Sequence, residues 1–373
     1  MISVVLTIAF GYLLFVCLLL IGWNRVKKPL EKTAEKEVSV SVVIAVRNEE
    51  KTIAKLLDDL SVQKYPAHLL EVLVVDDFST DQTRELILAK AKEAIISIQL
   101  VEKPSSFKDH PSPKKTSLAI GIEQAKGEYI LVTDGDCSVS EGWVASHVNC
   151  YLTRQAGFVT GPVAFSFSSS LWAKVQKVEF ASLVGSGAAT LGFGIPTMAN
   201  AANMSFPKEV FKAVNGFEGL HDTPSGDDEL LMHKIKKEKY SVQFLKEEGA
   251  IVETKHQTTG KSFLNQRKRW ASKWKYYQSP AIKWLAAITF LFHVNWLVFY
   301  IFSTSFSWSI FGMLVGGKLL LEYLFLSQVM RSLKQRVSFR AFVILQFVHS
   351  LYIVYTGFSS KLTSFTWKER KYT

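Results

Sequence analysis

Three acidic groups carry the clearest chemistry in this sequence of 373 residues: Asp76-Asp77, Asp134-Gly135-Asp136 and Asp227-Asp228. Carboxylates repel a phosphate group directly, but they can hold one through a divalent cation with oxygen ligands, typically Mg²⁺ or Mn²⁺. In the second group both side chains leave one tight turn, where one carboxylate can ligate the metal while its neighbour reaches a ribose. An acidic pair at a helix start usually caps the helix, which suits Asp227, whereas Asp228 can instead serve as a general base.

Buried strands precede the first two of these groups. Apolar runs predict four strands, at 38–46, 71–75, 98–101 and 129–133, with segments of helical spacing between them. Strands that alternate with helices predict an α/β fold, a doubly wound, Rossmann-like and mostly parallel sheet. Ligands bind at the carboxyl ends of such strands. The side chains expected to converge there are Asn48, Asp76, Asp77, Asp134 and Asp136.

Several classes of protein are disfavoured by the patterns that are missing. No Gly-x-Gly-x-x-Gly follows the first strand and no P-loop motif occurs, which weighs against a dinucleotide enzyme and a P-loop NTPase. The three cysteines, Cys17, Cys137 and Cys150, lack metal-ligand spacing, which excludes a zinc module and a disulfide framework. The formal net charge of +11 alone would suggest nucleic acid, but the basic residues concentrate next to apolar segments. Anionic lipid is therefore the simpler partner.

The amino-terminal end of the sequence is apolar enough for a membrane anchor. Residues 2–23 contain no charge and are followed by Asn24-Arg25-Val26-Lys27-Lys28. That is a stop-transfer pattern, not the small-residue cleavage site of a signal peptide. The sequence predicts an uncleaved anchor, with the residues after it in the cytoplasm by the positive-inside rule.

Three further membrane spans are predicted at 281–303, 306–326 and 339–359. Lys318 and Glu322 lie four residues apart within the second of these, and they can pair inside the bilayer. A neutralising contact and a role in substrate binding both remain open for this pair. Four spans would place the basic tail outside, against the positive-inside rule. Either the last segment or one before it is therefore interfacial or re-entrant, or the rule does not hold for this chain. The tail residues concerned are Lys361, Lys368, Arg370 and Lys371.

Further candidate residues lie downstream of the first strands. Lys114-Lys115 opens a helix, where a cation can meet an anionic ligand, or where it simply faces solvent. The small-residue loop 200–205, which contains Asn203, lets a ligand approach the backbone or forms a structural turn. The segment Gln266-Arg267-Lys268-Arg269-Trp270 precedes a membrane span, where a basic, aromatic stretch anchors to anionic headgroups. In that segment Arg269 could also bind a pyrophosphate leaving group, and Trp270 could stack on a sugar.

These motifs, taken in order, resemble those of the membrane-bound branch of glycosyltransferase family 2. That branch has the GT-A fold and includes cellulose synthases, hyaluronan synthases and bacterial glycolipid and polysaccharide glycosyltransferases. The resemblance covers about residues 38–275, and Gln266-x-x-Arg269-Trp270 is its most specific part. The matching segments are 43–49, 75–81, Asp134-Gly135-Asp136, 226–228 and Gln266-x-x-Arg269-Trp270.

The resemblance implies a donor that is a nucleotide-diphospho-sugar, most often a UDP-sugar, and a Mg²⁺ or Mn²⁺ cofactor. Asp228 would be the catalytic base, and Asp136 with Asp134 would hold the metal. The residues implied in donor binding are Asn48, Glu49, Asp76, Asp77, Lys115, Asp134 and Arg269. Those implied in acceptor binding are Asn203, Gln266 and Trp270.

The expected reaction is an inverting transfer of one sugar to a lipid or polyprenyl-linked acceptor at the cytoplasmic face of a bacterial-type inner (plasma) membrane. Three C-terminal spans are few for the translocation channel of a processive enzyme. A processive polysaccharide synthase of the cellulose, hyaluronan or poly-N-acetylglucosamine type remains the alternative, since Gln-x-x-Arg-Trp is frequent in such enzymes. No nucleic acid is expected as a partner, and an accessory membrane protein is left open.

The expected organisation has five parts. They are an anchor at 1–24, a cytoplasmic GT-A domain at 38–260, an interfacial segment at 261–280, about three spans at 281–360 and a basic tail at 361–373.

Overall fold

The computed structural model describes residues 2–28, 37–108, 110–220, 226–277 and 279–359, together with two strands beyond them. The strands are β1 Val40–Val46, β2 Leu70–Asp76, β3 Ser97–Glu102, β4 Tyr129–Asp134, β5 Ser138–Val139, β6 Phe158–Thr160, β7 Val163–Phe165, β8 Met204–Pro207, β9 Val242–Phe244, β10 Val252–Thr254, β11 Phe365–Trp367 and β12 Arg370–Tyr372. The helices are α1 Ile2–Arg25, α2 Ile53–Ser61, α3 Thr83–Glu93, α4 Pro113–Gln124, α5 Trp143–Arg154, α6 Leu171–Leu191, α7 Lys208–Ala213, α8 Glu229–Lys237, α9 Gly260–Ala271, α10 Pro280–Ile301, α11 Trp308–Ser332 and α12 Phe339–Ser359.

A seven-stranded sheet has the strand order β3-β2-β1-β4-β8-β6-β9. The first four strands pair in parallel, and β8 runs antiparallel to both β4 and β6. Residues 42–46 of β1 and 72–75 of β2 are all apolar and almost all buried, because helices cover both faces of such a sheet. This confirms the predicted α/β fold with its mostly parallel sheet. A smaller sheet, in the order β5-β10-β7, lies beside it.

The chain folds as two compact units that alternate along the sequence. The sheet unit comprises residues 27–166 and 196–255, and the helical unit comprises 1–26, 167–195 and 256–373. Residues 167–195, with helix α6, fall inside the range predicted for the cytoplasmic domain, yet they belong to the helical unit. The physical reason is the composition of α6, whose second half consists of small and apolar residues that pack against other apolar helices.

Four helices of the helical unit are long and apolar enough to cross a membrane: α1, α10, α11 and α12. Their bounds agree with the predicted spans to within a few residues, apart from α11, which continues six residues beyond the predicted end. These helices support the predicted membrane association. Of the four basic tail residues, Lys361 and Lys368 lie outside the described residues.

A group of polar side chains lies between these apolar helices. Lys318 Nζ and Glu322 Oε1 are 2.9 Å apart, as the spacing predicted. The Tyr12 hydroxyl donates to Glu322, and Gln346 bonds both members of the pair. Because every member bonds to another, the charges are neutralised inside an apolar surrounding.

Helices α1 and α6 touch through their backbones at two glycines. A Cβ added at Gly22 would overlap the carbonyl oxygen of Ala189, and one added at Gly192 would overlap that of Gly22. We expect Gly22→Ala to lower the free energy of unfolding by roughly 1–3 kcal/mol, because the helices must separate. Gly312 on α11 meets nothing within 4 Å, so Gly312→Ala is the matched control. Unfolding in detergent measures both, and equal stabilities would contradict the close contact.

Candidate active site

The ends of three neighbouring parallel strands form one edge of the sheet. Asp76, the last residue of β2, lies opposite Val46, and Asp134, the last residue of β4, lies opposite Ala45. The strand order reverses at β1, with β2 and β3 on one side and β4 on the other. This is the topological switch point at which open α/β sheets bind ligands. The structure therefore brings Asp76 and Asp134 to the predicted edge.

The loops after β1 and β2 are bonded to each other at Asn48. Its backbone lies in the left-handed region, with φ 55°, where asparagine is among the more tolerant residues. Its Oδ1 accepts a hydrogen bond from Thr80 N at 2.9 Å, and its own N–H donates to Ser79 Oγ at 3.0 Å. The Glu49 N–H likewise donates to Thr83 Oγ1 at 2.8 Å. Asn48 and Glu49 thus shape this edge through contacts between the loops.

Asp76 and Asp77 both accept bonds from the protein. Asp76 accepts from the Ser79 N–H at 3.2 Å and from Arg84 Nη1 at 3.3 Å. Asp77 Oδ1 lies 2.7 Å from Nζ of Lys103, a lysine whose side chain is fully buried and which also donates to the carbonyl of Pro113. This lysine therefore ties the end of β2 to the start of α4.

Asp134 and Asp136 flank a glycine that the fold requires. A Cβ at Gly135 would lie 2.8 Å from Val46 Cγ1 and 3.2 Å from Glu49 Cγ, so a larger residue would push the turn off the end of β1. Both aspartates are partly exposed at this turn. The neighbouring Cys137 is buried, and burial, together with the charges of Asp136 and Asp134, raises the pKa of its thiol well above the usual value.

Lys114 lies between two of the acidic groups. Its Nζ is 2.6 Å from Asp134 Oδ1 and 3.0 Å from Asp227 Oδ2. Burial by itself lowers the pKa of Lys114, but the charges of Asp134 and Asp227 outweigh it and raise the pKa. The ammonium group therefore stays charged at neutral pH and joins the turn after β4 to the segment before α8.

Lys115, the lysine assigned to donor binding from the sequence, points elsewhere. Its side chain is fully buried and Nζ donates to the carbonyl of Leu220 at 2.6 Å. Lys115 continues the buried stripe of Leu118 and Ile122 at helical spacing, whereas Lys114 lies beside that stripe. The structure thus brings Lys114, not Lys115, to the acidic edge, and this stripe was the signal that separated the two lysines.

The helix cap expected at Asp227 is formed by Asp228, which is also the candidate base. Asp228, not Asp227, is the N-cap of α8, and its carboxylate accepts from the Glu229 N–H at 2.6 Å. The other oxygen accepts from the Ala201 N–H at 3.3 Å, so the small-residue loop 200–205 holds the candidate base in place. Gly226, with φ 86°, supplies the left-handed turn before it.

Asn203 belongs to this loop, but its side chain is buried and does not reach the surface of the loop. Its Oδ1 accepts from Trp143 Nε1 and from His147, both at 2.9 Å, and its Nδ2 donates to the carbonyls of Pro162 and Ala250. All four hydrogen-bonding positions of the amide are occupied within the sheet unit. The Asn203 side chain therefore has no hydrogen-bonding position left for the sugar acceptor that was expected to bind there. Asn203 is a core residue.

The burial of His147, the partner of Asn203, leads us to expect that the stability of the protein depends on pH. Burial lowers the pKa of His147 to about 4, against the opposing effect of its bond to Asn203. Above about pH 6.5 the imidazole is neutral in both the folded and the unfolded state, so His147 does not lower the free energy of unfolding. As pH falls from there to about 4, only the unfolded state gains the proton, and about 3 kcal/mol is lost. Chemical unfolding at pH values from 7 to 4 measures this loss, and in His147→Gln the loss should be smaller by about 3 kcal/mol. An unchanged loss would contradict the prediction.

The Gln-x-x-Arg-Trp segment lies on α9, which belongs to the helical unit. Thr259 and Ser262 start this helix with reciprocal capping bonds. Gln266 accepts a bond from its neighbour Arg267, and the ring of Trp270 lies 6.0 Å from that of Phe180. Arg269 and Trp270 are partly exposed on this helix.

The carboxylates of the sheet edge suit a divalent cation whose other ligands are phosphate oxygens and water. Asp134 and Asp136 offer hard oxygen donors of the kind that Mg²⁺ and Mn²⁺ prefer. In the part of the chain that the structure describes, no group of three His, Cys, Asp or Glu residues could hold a metal. One or two carboxylates completed by phosphate oxygens and water is a usual Mg²⁺ environment, so these residues fit a metal bound together with a nucleotide.

A parallel sheet with an acidic turn at its switch point fits the GT-A class of glycosyltransferases, and comparisons with known proteins agree. The family model for glycosyl transferase family 2 matches residues 41–213, and that for glycosyl transferase family group 2 matches residues 129–367. The chain belongs to glycosyltransferase family 2 and is a glycosyltransferase, as the motifs predicted.

Individual relatives match over part of their length. Glycosyltransferase AglE of Haloferax volcanii is 33% identical over 128 residues, which are 34% of this chain and 40% of AglE. The poly-beta-1,6-N-acetyl-D-glucosamine synthase of Staphylococcus aureus is 30% identical over 167 residues, which are 44% of this chain and 38% of the synthase. The chain thus spans about two fifths of the length of these relatives.

A solved structure matches over nearly the whole chain. The mannosyltransferase PcManGT from Pyrobaculum calidifontis, in complex with GDP-Man and Mn²⁺, superposes with a TM-score of 0.63. The match covers 97% of this chain and 99% of that chain, at 16% sequence identity. At this identity the similarity supports the fold alone.

Proposed function

We propose that the protein transfers a sugar, with inversion, from a nucleotide-diphospho-sugar to a lipid or polyprenyl-linked acceptor at the cytoplasmic face of the plasma membrane. The observation that carries the proposal is the group formed by Asp134, Lys114 and Asp227, with Asp228 beside it, at the switch point of the sheet. This group combines what a diphosphate donor needs, namely carboxylates for its metal and a cation for its phosphates.

Donor binding is assigned to the loops after β1, β2 and β4. Asp76 and Asp77, held by Arg84 and Lys103, would line the pocket for the base together with Asn48 and Glu49. Lys114 would exchange part of its contact with Asp134 for the diphosphate, since phosphate oxygens and carboxylates compete for the same ammonium group. A UDP-sugar is the donor we favour, and the GDP-Man bound by PcManGT makes a GDP-sugar the second choice to test.

The transfer step uses Asp228 as general base. The acceptor hydroxyl gives its proton to the Asp228 carboxylate while its oxygen bonds to the anomeric carbon, and the bond from that carbon to the diphosphate oxygen breaks. The electron pair leaves with the nucleoside diphosphate. A single displacement inverts the anomeric centre, so an α-linked donor gives a β-linked product. The bonds from the Glu229 and Ala201 N–H groups fix the direction in which the carboxylate points.

Charge stabilisation of the leaving group is the other half of the mechanism. A divalent cation, Mg²⁺ or Mn²⁺, held by Asp134 and Asp136 would supply positive charge to the departing diphosphate. The Mn²⁺ bound by PcManGT makes Mn²⁺ the first metal to test. Lys114 and, by the family motif, Arg269 add fixed positive charge from the protein.

The acceptor is expected to be membrane-bound because the chain carries apolar helices at both ends of the catalytic part. Gln266 and Trp270 remain predicted acceptor residues on α9, at the start of the C-terminal spans. The basic residues after α1 favour a cytoplasmic catalytic part by the positive-inside rule.

Processive synthesis of a polysaccharide is the second candidate. The similarity of 167 residues to a poly-beta-1,6-N-acetyl-D-glucosamine synthase favours it. The two candidates differ in product, because one gives a lipid carrying a single sugar and the other gives a polymer of many sugars.

The test uses the full chain in lipid nanodiscs with Mn²⁺ or Mg²⁺ and a panel of UDP- and GDP-sugars. We expect release of nucleoside diphosphate that requires added lipid extract and is abolished both by EDTA and in Asp136→Asn. Mass spectrometry should find one sugar on a lipid. Polymer growth without lipid would replace the proposal by the processive alternative, and failure to release nucleoside diphosphate from any donor would contradict both.

A further inference from the structure

Three helices of the helical unit meet at one buried carboxylate. Glu179 on α6 accepts from Arg267 Nε at 2.9 Å through Oε1, and its Oε2 accepts from Arg267 Nη2. The Tyr352 hydroxyl, from α12, donates to the same Oε1 at 2.6 Å. The side chains of Glu179 and Arg267 are only 1% and 5% exposed. Glu179, Arg267 and Tyr352 together form what we call the Glu179 clamp.

The clamp acts on the helix that carries Gln266, Arg269 and Trp270. Arg267 is one of the two unspecified positions of that motif, so its pairing is not part of the motif itself. Its guanidinium lies over two rings of the same helix, 4.5 Å from Phe263 and 4.2 Å from Trp270. Because 263, 267 and 270 share one helical face, the paired arginine fixes both the rotation of α9 and the position of the Trp270 ring.

We propose that Glu179 and Tyr352 are positioning residues for α9: they act through Arg267 and hold Arg269 and Trp270 in the orientation that sugar transfer requires. This inference rests on the proposed function. Neither residue needs to contact the donor or the acceptor. A bidentate arginine–carboxylate pair suits this purpose because its geometry allows one orientation, whereas an apolar contact would allow several.

The chain offers a matched control for a purely structural role. Glu322 is a second carboxylate of the helical unit, 15% exposed, and it too is bonded to a tyrosine and a cation, Tyr12 and Lys318. Neither of these partners lies on α9. If the Glu179 clamp merely held apolar helices together, neutralising either glutamate would have similar consequences.

The experiment compares Glu179→Gln with Glu322→Gln, and Tyr352→Phe with Tyr12→Phe, in the full chain in nanodiscs. The first readout is amide hydrogen exchange over residues 260–271, which needs no substrate. We expect faster exchange there in Glu179→Gln and, to a smaller extent, in Tyr352→Phe. The two control variants should match the wild type in this segment, and exchange in β1 and β4 should be unchanged in all four.

The second readout is transfer of sugar to the acceptor with the donor found for the wild type. We expect kcat/KM to fall at least about tenfold in Glu179→Gln, since small misplacements of catalytic groups have effects of this size. Unchanged exchange over 260–271, unchanged transfer despite faster exchange, or equal losses in the Glu322→Gln control would each overturn the proposal. Should Glu179→Gln fail to fold, Tyr352→Phe and Tyr12→Phe carry the same comparison. If the wild type transfers no sugar, the proposed function has failed. Faster exchange in the clamp variants would then show that the clamp holds α9 in place, without a role in sugar transfer.

Discussion

Asp228→Asn is expected to lower kcat for sugar transfer by roughly 10²–10⁴-fold, the usual contribution of a general base. Asparagine keeps an oxygen that can accept from the Glu229 N–H, so the N-cap of α8 is retained. The amide cannot take up the acceptor proton, and for that reason the loss should appear in the chemical step. Single-turnover transfer kinetics and calorimetric binding of the nucleoside diphosphate measure the two effects separately.

Two comparisons test whether this loss comes from the proton transfer. Asp228→Ser also keeps a cap and should be as inactive as Asp228→Asn, while both variants should bind nucleoside diphosphate like the wild type. A variant that keeps more than about a tenth of the wild-type rate would place the base elsewhere, because general-base catalysis contributes more than this.

Lys114→Met is the second substitution with a large expected effect. It removes the cation between Asp134 and Asp227 and leaves the almost fully buried Asp227 without its counter-charge. Breaking a buried pair in this way costs about 3 kcal/mol or more, so we expect a lower stability to chemical unfolding. We also expect binding of the nucleoside diphosphate to weaken at least tenfold, because a charged hydrogen bond to phosphate is lost.

The adjacent lysine gives the control. Lys115→Met removes a hydrogen bond to the carbonyl of Leu220 and leaves Lys114 in place between Asp134 and Asp227. It should cost roughly 1–3 kcal/mol of stability and leave binding of the nucleoside diphosphate near the wild-type value. If Lys115→Met impairs that binding more than Lys114→Met does, the assignment made from the sequence is correct and the one made from the geometry is not.

The sheet edge was predictable because strands and turns leave local signals. Runs of apolar residues mark β1, β2 and β4, and parallel pairing then places Asp76 and Asp134 at the same edge of the sheet. The direction of a single side chain has no such local signal. Lys114 and Lys115 are neighbours in sequence, and which of them faces Asp134 depends on the rotation of α4, which the apolar residues behind it set.

Other features depend on contacts that no local pattern contains. Asp227 and Asp228 both suit a helix cap, and the choice between them depends on Ala201 and Lys114, which approach from distant parts of the chain. Helix α6 carries Lys174, Lys177 and Glu179 among its apolar residues, so its sequence resembles that of a helix at a protein surface. Its place among the apolar helices follows from Gly22 and from the pairing of Glu179 with Arg267.

The alternation of the two units has a consequence for biosynthesis. Strand β8 fills the place between β4 and β6, and its residues leave the ribosome only after those of α6. The seven-stranded sheet therefore cannot close before α6 has been made. Of the described apolar helices that contact α6, which are α1, α11 and α12, only α1 has then been synthesised. Any continuous fragment that contains the whole sheet unit also contains α6. If both ends of the chain are deleted, α6 remains in the fragment without the apolar helices that it packs against. We expect such a fragment to aggregate or to bind detergent.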